Sequence, residues 1–247
     1  MKKAPKDYLI VALDTSSESE ALKIIESLSG HIDYFKIGLE LFCSCGPKII
    51  EEVKNRGNKV FFDGKFLDIP NTVSKAVSSI VRQRVDMVNV HIMGGEEMIS
   101  EAKNALVEAA NKYNLNPPAL LGVTILTSMN QETISTDLKI KDKIEDYVLH
   151  LTRLGIKNGL DGVVCSPNEA KMIRDLANKE GKKDFLIVTP GVRPVWAKTN
   201  DQQRISTPKD AILNGVSHIV VGRPITASKD PIDATKKIIE EIEEAIM

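Results

Sequence analysis

Eight short apolar runs, each closing on a polar residue or a glycine, recur along the 247-residue chain with room for one helix after each. They are Tyr8–Asp14, Asp33–Gly38, Lys59–Asp63, Val85–His91, Ala119–Thr124, Leu160–Cys165, Asp184–Thr189 and Ser217–Gly222, and successive ends fall 24 to 41 residues apart. The runs are nearly continuous in apolar residues, the pattern of strands buried on both faces of a parallel sheet. Amphipathic segments fill the gaps, among them Glu18–Leu28 behind a Ser16–Ser17 cap, Pro47–Gly57, Glu96–Tyr113 and Pro167–Gly181. The second and last of these stop at glycine, the common residue beyond a helix end. Eight strand–helix units predict an α/β protein, a (β/α)8 TIM barrel of parallel strands occupying residues 1–247 as one domain. A doubly wound open sheet is the runner-up, but no GxGxxG follows the first run.

Composition narrows the partners. Lys and Arg number 33 against 34 Asp and Glu, net charge −1, and no basic stretch alternates with aromatic residues. Nucleic acid and anionic membrane are therefore not expected partners. No apolar run approaches the roughly 18 residues of a membrane span, and the first residues, MKKAPKDYL, lack the apolar core of a signal peptide, so a cytoplasmic protein is expected. Three cysteines (Cys43, Cys45, Cys165) and four scattered histidines match no metal-ligand spacing, so no metal site is expected.

In a barrel of this kind chemistry sits at the carboxyl ends of the strands. There the sequence places Asp14 after the first run, Lys36 within the second, Asp63 and Lys65 at the end of the third, and Asn89 and His91 in the fourth. Alternation along a strand puts Asp63 and Lys65 on one face. Asp68 follows in a loop stiffened by Pro70. Burying Asp14, Lys36, Asp63 and Lys65 together is tolerable only if opposite charges neighbour one another, and their order, Asp-Lys-Asp-Lys, allows it. An Asp-x-Lys by itself is usually a solvated ion pair, and His91 is more often a hydrogen-bonded core histidine than a base. On the far side, TPGVRP (Thr189–Pro194) and VVGRPIT (Val220–Thr226) follow the seventh and eighth runs, where barrels commonly bind phosphate. Arg223 is the first choice of anion ligand and Arg193 the second. The stretch 191–204, with the one tryptophan, Trp196, is expected to close over a ligand.

These motifs together resemble the orotidine 5′-phosphate decarboxylase family along essentially the whole chain. Asp63-x-Lys65-x-x-Asp68-Ile69-Pro70-Asn71-Thr72, Lys36 before Gly38, LTSM at Leu126–Met129, TPGVR at Thr189–Arg193, Gln202 and VVGR at Val220–Arg223 carry the likeness. Leu67 departs from it, standing where relatives often have histidine. The resemblance implies decarboxylation of orotidine 5′-monophosphate to UMP, without cofactor. Lys65 would protonate the carbon that loses CO2, with Asp63 beside the departing carboxylate. Lys36 and Asp14 would hold the ribose hydroxyls, and Asp63 and Asp68 would keep Lys65 cationic. Thr127 would contact the pyrimidine and Gln202 would bridge lid, base and phosphate. Arg223 and Arg193 would bind the phosphate, with Ile69, Pro190 and Gly222 among the substrate contacts. Asp68 and Thr72 would reach into a neighbouring subunit, so a homodimer is implied. Two alternatives stay open: a Mg2+-dependent phosphosugar decarboxylase or aldolase of the same barrel superfamily, and a non-catalytic nucleotide-phosphate binder.

Overall fold

The computed structural model describes residues 3–197 and 206–247. Eight parallel strands close on themselves in sequence order: β1 Leu9–Leu13, β2 Tyr34–Gly38, β3 Lys59–Phe66, β4 Met87–His91, β5 Ala119–Val123, β6 Gly162–Val164, β7 Leu186–Pro190 and β8 His218–Val221. Closure is made by β1 pairing with β8, Leu9 opposite Ile219 and Val11 opposite Val221. The barrel expected from the apolar runs is thus the fold, and the open-sheet alternative falls.

Each strand buries two faces, which is why its sequence is apolar throughout rather than alternating. Outward residues such as Val11, Phe35, Phe62, Val88 and Ile219 pack under the helices in one continuous core. Inward residues, among them Ile10, Ala12, Phe61, Met87, Leu121, Val164, Val188 and Val220, fill the lumen in a second cluster. The floor of the lumen is polar. His218 meets the Tyr34 ring edge-on at 5.6 Å, and Lys3 Nζ donates to Ser217 O at 2.5 Å and bonds His218 Nε2 at 3.1 Å. Burial, reinforced by the charges of Lys3 and Lys59, pushes the His218 imidazole down to about 3, so it stays neutral and accepts from Lys3.

Four helices, Glu18–Leu28, Gln131–Thr136, Pro208–Leu213 and Pro231–Ile246, start at a side-chain cap. Glu18–Leu28 starts where Ser17 Oγ accepts the Glu20 N–H, as the Ser pair predicts. The other three expected segments are found as Lys48–Asn55, Gly95–Lys112 and Ala170–Lys179, shortened or shifted at their ends. One strand differs in kind: β3 continues to Phe66 instead of stopping at Asp63.

The amino-terminal end of the barrel is stapled three times by one device. Asp86, just before β4, accepts the Val60 N–H of β3 at 2.8 Å and pairs with Lys54 at 2.7 Å. Asp161, before β6, accepts the Leu120 N–H of β5 at 2.8 Å and pairs with Lys103 at 2.7 Å. Ser217, before β8, accepts the Ile187 N–H of β7 at 3.1 Å and a bond from Arg174. In each case the residue entering an even strand satisfies the start of the preceding odd strand, and a cation from the helix leading into that odd strand holds it. Asp86→Ala strands the buried Val60 N–H and is expected to cost about 2 kcal/mol, a fall in Tm of roughly 4–8 °C. Lys54→Met leaves that acceptor in place and is expected to cost less than about 1 kcal/mol. Thermal melts of the two variants side by side check the order; equal losses would show that the ion pair, not the strand N–H, carries the staple.

Candidate active site

At the opposite end, the carboxyl ends of β1, β2 and β3 bring four charged side chains into one alternating line. Lys36 Nζ lies 2.9 Å from Asp14 Oδ1 and 3.4 Å from Asp63 Oδ2, and Lys65 Nζ lies 2.7 Å from Asp63 Oδ1. Exposure rises outward along the line: the side chains of Lys36 and Asp63 are each 11% exposed, Lys65 32% and Asp14 56%. The interior pair is the more buried, and all four line the cavity described below. A Cβ on Gly38 would stand 3.0 Å from Lys36 Nζ, so glycine there leaves the ammonium its place.

Asp63 and Lys65 meet by a route other than the expected straight strand. In the β3–β4 ladder Phe62 pairs with Val88 and Phe66 with Val90, so residues 63–65 stand opposite the single residue 89. This is a β-bulge with two extra residues. Within it Lys65 has φ +47°, the left-handed region, which for a lysine costs on the order of 1–3 kcal/mol. Gly64 is required by packing: a Cβ would lie 2.5 Å from the Phe62 ring, which is wedged edge-on against Phe42. Asn89, buried in β4, donates from Nδ2 to Asp63 Oδ1 at 2.8 Å and accepts the Lys65 backbone N–H at 2.7 Å. Sequence reading noted Asn89 on the right face and gave it no role.

The electrostatics follow from this packing. Burial is the largest influence on Asp63 and would raise its pKa. The charges of Lys36 and Lys65, with hydrogen bonds from Lys65 and Asn89, outweigh it and hold the carboxyl below its ordinary value. His91 is also held below its ordinary value, by burial and by the charge of Lys65, which favours the neutral imidazole. Its Nδ1 is buried without a hydrogen-bond partner among the described residues, so the expected hydrogen-bonded core histidine is not what stands there.

The array forms one wall of a cavity of about 310 Å3. Thr127, Pro190, Arg193, Gly222 and Arg223 line the rest, with Phe61, Val164 and Val220 as its apolar base. Nine of the sequence-predicted residues therefore share one cavity: Asp14, Lys36, Asp63, Lys65, Thr127, Pro190, Arg193, Gly222 and Arg223. Two arginines face the carboxylate–ammonium line across a space within the about 300–1,000 Å3 typical of small-molecule sites. Larger hollows lie at the other end of the barrel, one of about 560 Å3 between Lys103, Asp161 and Lys183, away from these groups.

Three predicted residues lie elsewhere. Asp68, Ile69 and Thr72 are exposed on the turn into the helix Pro70–Val81, and Asp68 Oδ1 accepts the Ile69 N–H at 2.7 Å. Within one chain Asp68 forms no ion pair with Lys65 among the described residues, so Asp63 is the carboxylate that holds that ammonium here. Gln202, with the second half of the expected lid, 198–204, falls outside the described residues. Among the described residues no three His, Cys, Asp or Glu side chains are grouped as a metal set would be.

Known proteins resemble this chain along nearly its whole length. The model of the orotidine 5′-phosphate decarboxylase / HUMPS family matches residues 7–238. An orotidine 5′-phosphate decarboxylase of Staphylococcus epidermidis is 48% identical over 94% of this chain and 96% of its own, and one of Moorella thermoacetica is 44% identical over 96% and 93%. The crystal structure of the Lactobacillus acidophilus orotidine 5′-phosphate decarboxylase superposes with a TM-score of 0.82 at 36% identity, covering 96% of this chain and 99% of that one. With its closed barrel and its Asp-Lys-Asp-Lys line, this chain belongs to the orotidine 5′-phosphate decarboxylase family.

Proposed function

We propose that the chain decarboxylates orotidine 5′-monophosphate to UMP and CO2, the last step of de novo pyrimidine nucleotide synthesis, with fixed side-chain charges in place of a cofactor. The observation that carries this reading is the alternating line Asp14–Lys36–Asp63–Lys65 facing Arg193 and Arg223 across one cavity. The arginines take the phosphate, Thr127 the pyrimidine, and Asp14 with Lys36 the ribose hydroxyls. Gln202 is assigned to the bridge between base and phosphate on sequence resemblance alone.

The reaction breaks the bond between the pyrimidine 6-carbon and its carboxylate, and the electron pair stays on that carbon. No adjacent carbonyl delocalises it conventionally, so stabilisation has to come from charge already in place. The Lys65 ammonium supplies that charge, then gives its proton to the carbon and is left as the amine. Asp63 keeps Lys65 protonated until that moment. Asp63 itself already accepts Lys65 and Asn89 on one oxygen and neighbours Lys36 on the other, which leaves little room for the Mg2+ of a phosphosugar decarboxylase.

The proposal includes a homodimer in the cytoplasm. Leu39, Leu67, Ile69 and Met93 are exposed apolar residues on the segments following β2, β3 and β4, beside Asp68 and Thr72. A second copy covering them would carry Asp68 and Thr72 toward its partner's Lys65. No described helix is long and apolar enough to cross a membrane.

Three measurements test this. Purified protein in EDTA is expected to convert orotidine 5′-monophosphate to UMP, followed by ultraviolet absorbance, and Lys65→Ala to abolish the conversion while remaining folded; no turnover by folded wild type would redirect the reading to phosphosugars with Mg2+. Arg223→Ala is expected to lower kcat/KM on the nucleotide by roughly 10- to 100-fold, the 1.5–3 kcal/mol of a hydrogen bond to a charged group. It should leave the phosphate-free nucleoside unaffected, and equal losses on both substrates would remove Arg223 from the phosphate. Lys65→Ala and Asp68→Ala, each nearly inactive alone, are expected on co-expression to recover about a quarter of wild-type activity. Half the dimers would then be mixed, each with one intact site. No recovery would place Asp68 in its own subunit's site or in none.

A further inference from the structure

The bulge in β3 leaves a gap in the barrel's backbone ladder, and one side chain fills it. Between the pairs Phe62–Val88 and Phe66–Val90, β4 offers only residue 89 against residues 63–65. Asn89 is fully buried, and its amide bonds to both ends of the surplus loop, the Lys65 backbone N–H and the Asp63 carboxylate. A backbone nitrogen can only donate, so the Asn89 atom facing it is the oxygen and the atom facing Asp63 is the NH2. The amide orientation is therefore fixed by the partners themselves. Asn89 supplies the donor and acceptor that one more peptide unit of β4 would have supplied.

We propose that Asn89 is a positioning residue for the decarboxylation, holding Lys65 in its left-handed conformation and turning Asp63 toward the Lys65 ammonium, without touching substrate. The proposal rests on the reading of Asp63 and Lys65 as the reacting pair. The asparagine amide meets both requirements at once. A serine or threonine hydroxyl can accept and donate, but from one oxygen nearer the backbone where the amide offers two separate atoms; glutamine is a methylene too long for a filled lumen, leucine has the size and neither bond, and aspartate keeps the acceptor but turns a carboxylate on Asp63. A left-handed lysine beside a glycine has many other conformations open to it once the clamp is gone. The ammonium would then point at the reacting carbon only part of the time, a loss felt in the chemical step and not in binding of the distant phosphate.

Asn89→Leu and Asn89→Asp, with wild type as reference, test this by kcat and KM on orotidine 5′-monophosphate from pH 5.5 to 8.5, with thermal melts in parallel. Turnover by wild type in the same assay verifies the functional reading independently. For Asn89→Leu, kcat is expected to fall by about a hundredfold with KM held within about threefold. For Asn89→Asp the same loss is expected at pH 8, with a recovery of about tenfold or more toward pH 5.5. The introduced carboxyl and Asp63 there share a proton, which restores the donor that Asn89 provided. The titratable groups around the site, Asp14, Lys36, Asp63, Lys65 and His91, are common to all three proteins, so the ratio to wild type at each pH isolates the change at position 89. Should Asn89→Leu fail to fold, the isosteric Asn89→Asp decides alone. A kcat within threefold of wild type at pH 8 for either folded variant would overturn the proposal. So would a loss confined to KM, or an Asn89→Asp deficit that does not vary with pH.

Discussion

The Asp63 carboxylate is the group on which this structure turns. It is buried, it is ionised, and its partners come from three strands: Lys36 of β2, Lys65 of its own strand and Asn89 of β4. Removing one partner from a buried charge typically costs 3–5 kcal/mol, so the ends of these strands have to arrive together. A closed barrel achieves this because each strand's height is set by both neighbours. Lys36 pairs in register with Ala12 on one side and Phe61 on the other, each one inward step below Asp14 and Asp63. The apolar cluster of Ile10, Ala12, Phe61, Met87 and Val220 beneath them excludes water from below and keeps the attraction strong.

The two ends of the barrel divide stability from chemistry. At the amino-terminal end carboxylates and a serine bond strand N–H groups, cations back them, and the amino-terminal segment plugs the lumen through Lys3. Left-handed Arg84 and Asn114 lie in the turns entering β4 and β5, and His218 Nδ1 is buried without a partner among the described residues. The carboxyl end holds the left-handed Lys65, the bulge, the unpartnered His91 Nδ1 and the exposed Leu67 and Ile69. What sets the carboxyl end apart is that its departures from local rules gather around one cavity, where function is proposed.

This division also explains what could be read from sequence. The eight strands were legible because burial on both faces demands unbroken apolar runs, and helix starts were legible where a side chain caps them, as at Ser17. The meeting of Asp14, Lys36, Asp63 and Lys65 followed once each was set at a strand end. The bulge was not legible. Asp63 and Lys65 lie two apart, which regular alternation explains just as well, and only the pairing of Phe66 with Val90 reveals the surplus. Asn89 was missed for the same reason: its partners depend on a register that no local pattern encodes. The staples at Asp86 and Asp161 look in sequence like any acid before a strand. Asp68 was expected to reach a neighbouring subunit's site, and within one chain its loop turns it outward, away from its own Lys65.

The distribution of charge within the cavity bears on how catalysis can be selective for the transition state. Two aspartates and two lysines alternate along the β1–β3 wall, so that wall has no net charge, while the β7–β8 side presents Arg193 and Arg223. On the proposed reading, an anionic nucleotide would be drawn by the arginines, at the end remote from the reacting carbon. The substrate carboxylate would meet a lysine already matched by Asp63, and would gain little from it in the ground state. As CO2 left, negative charge would move from the carboxylate oxygens onto the ring carbon beside the Lys65 ammonium, and the attraction would grow along the reaction coordinate. Binding energy collected at the phosphate would then hold the ring against a neutral wall whose stabilising effect is felt only when the bond breaks, the condition under which binding raises kcat rather than merely lowering KM.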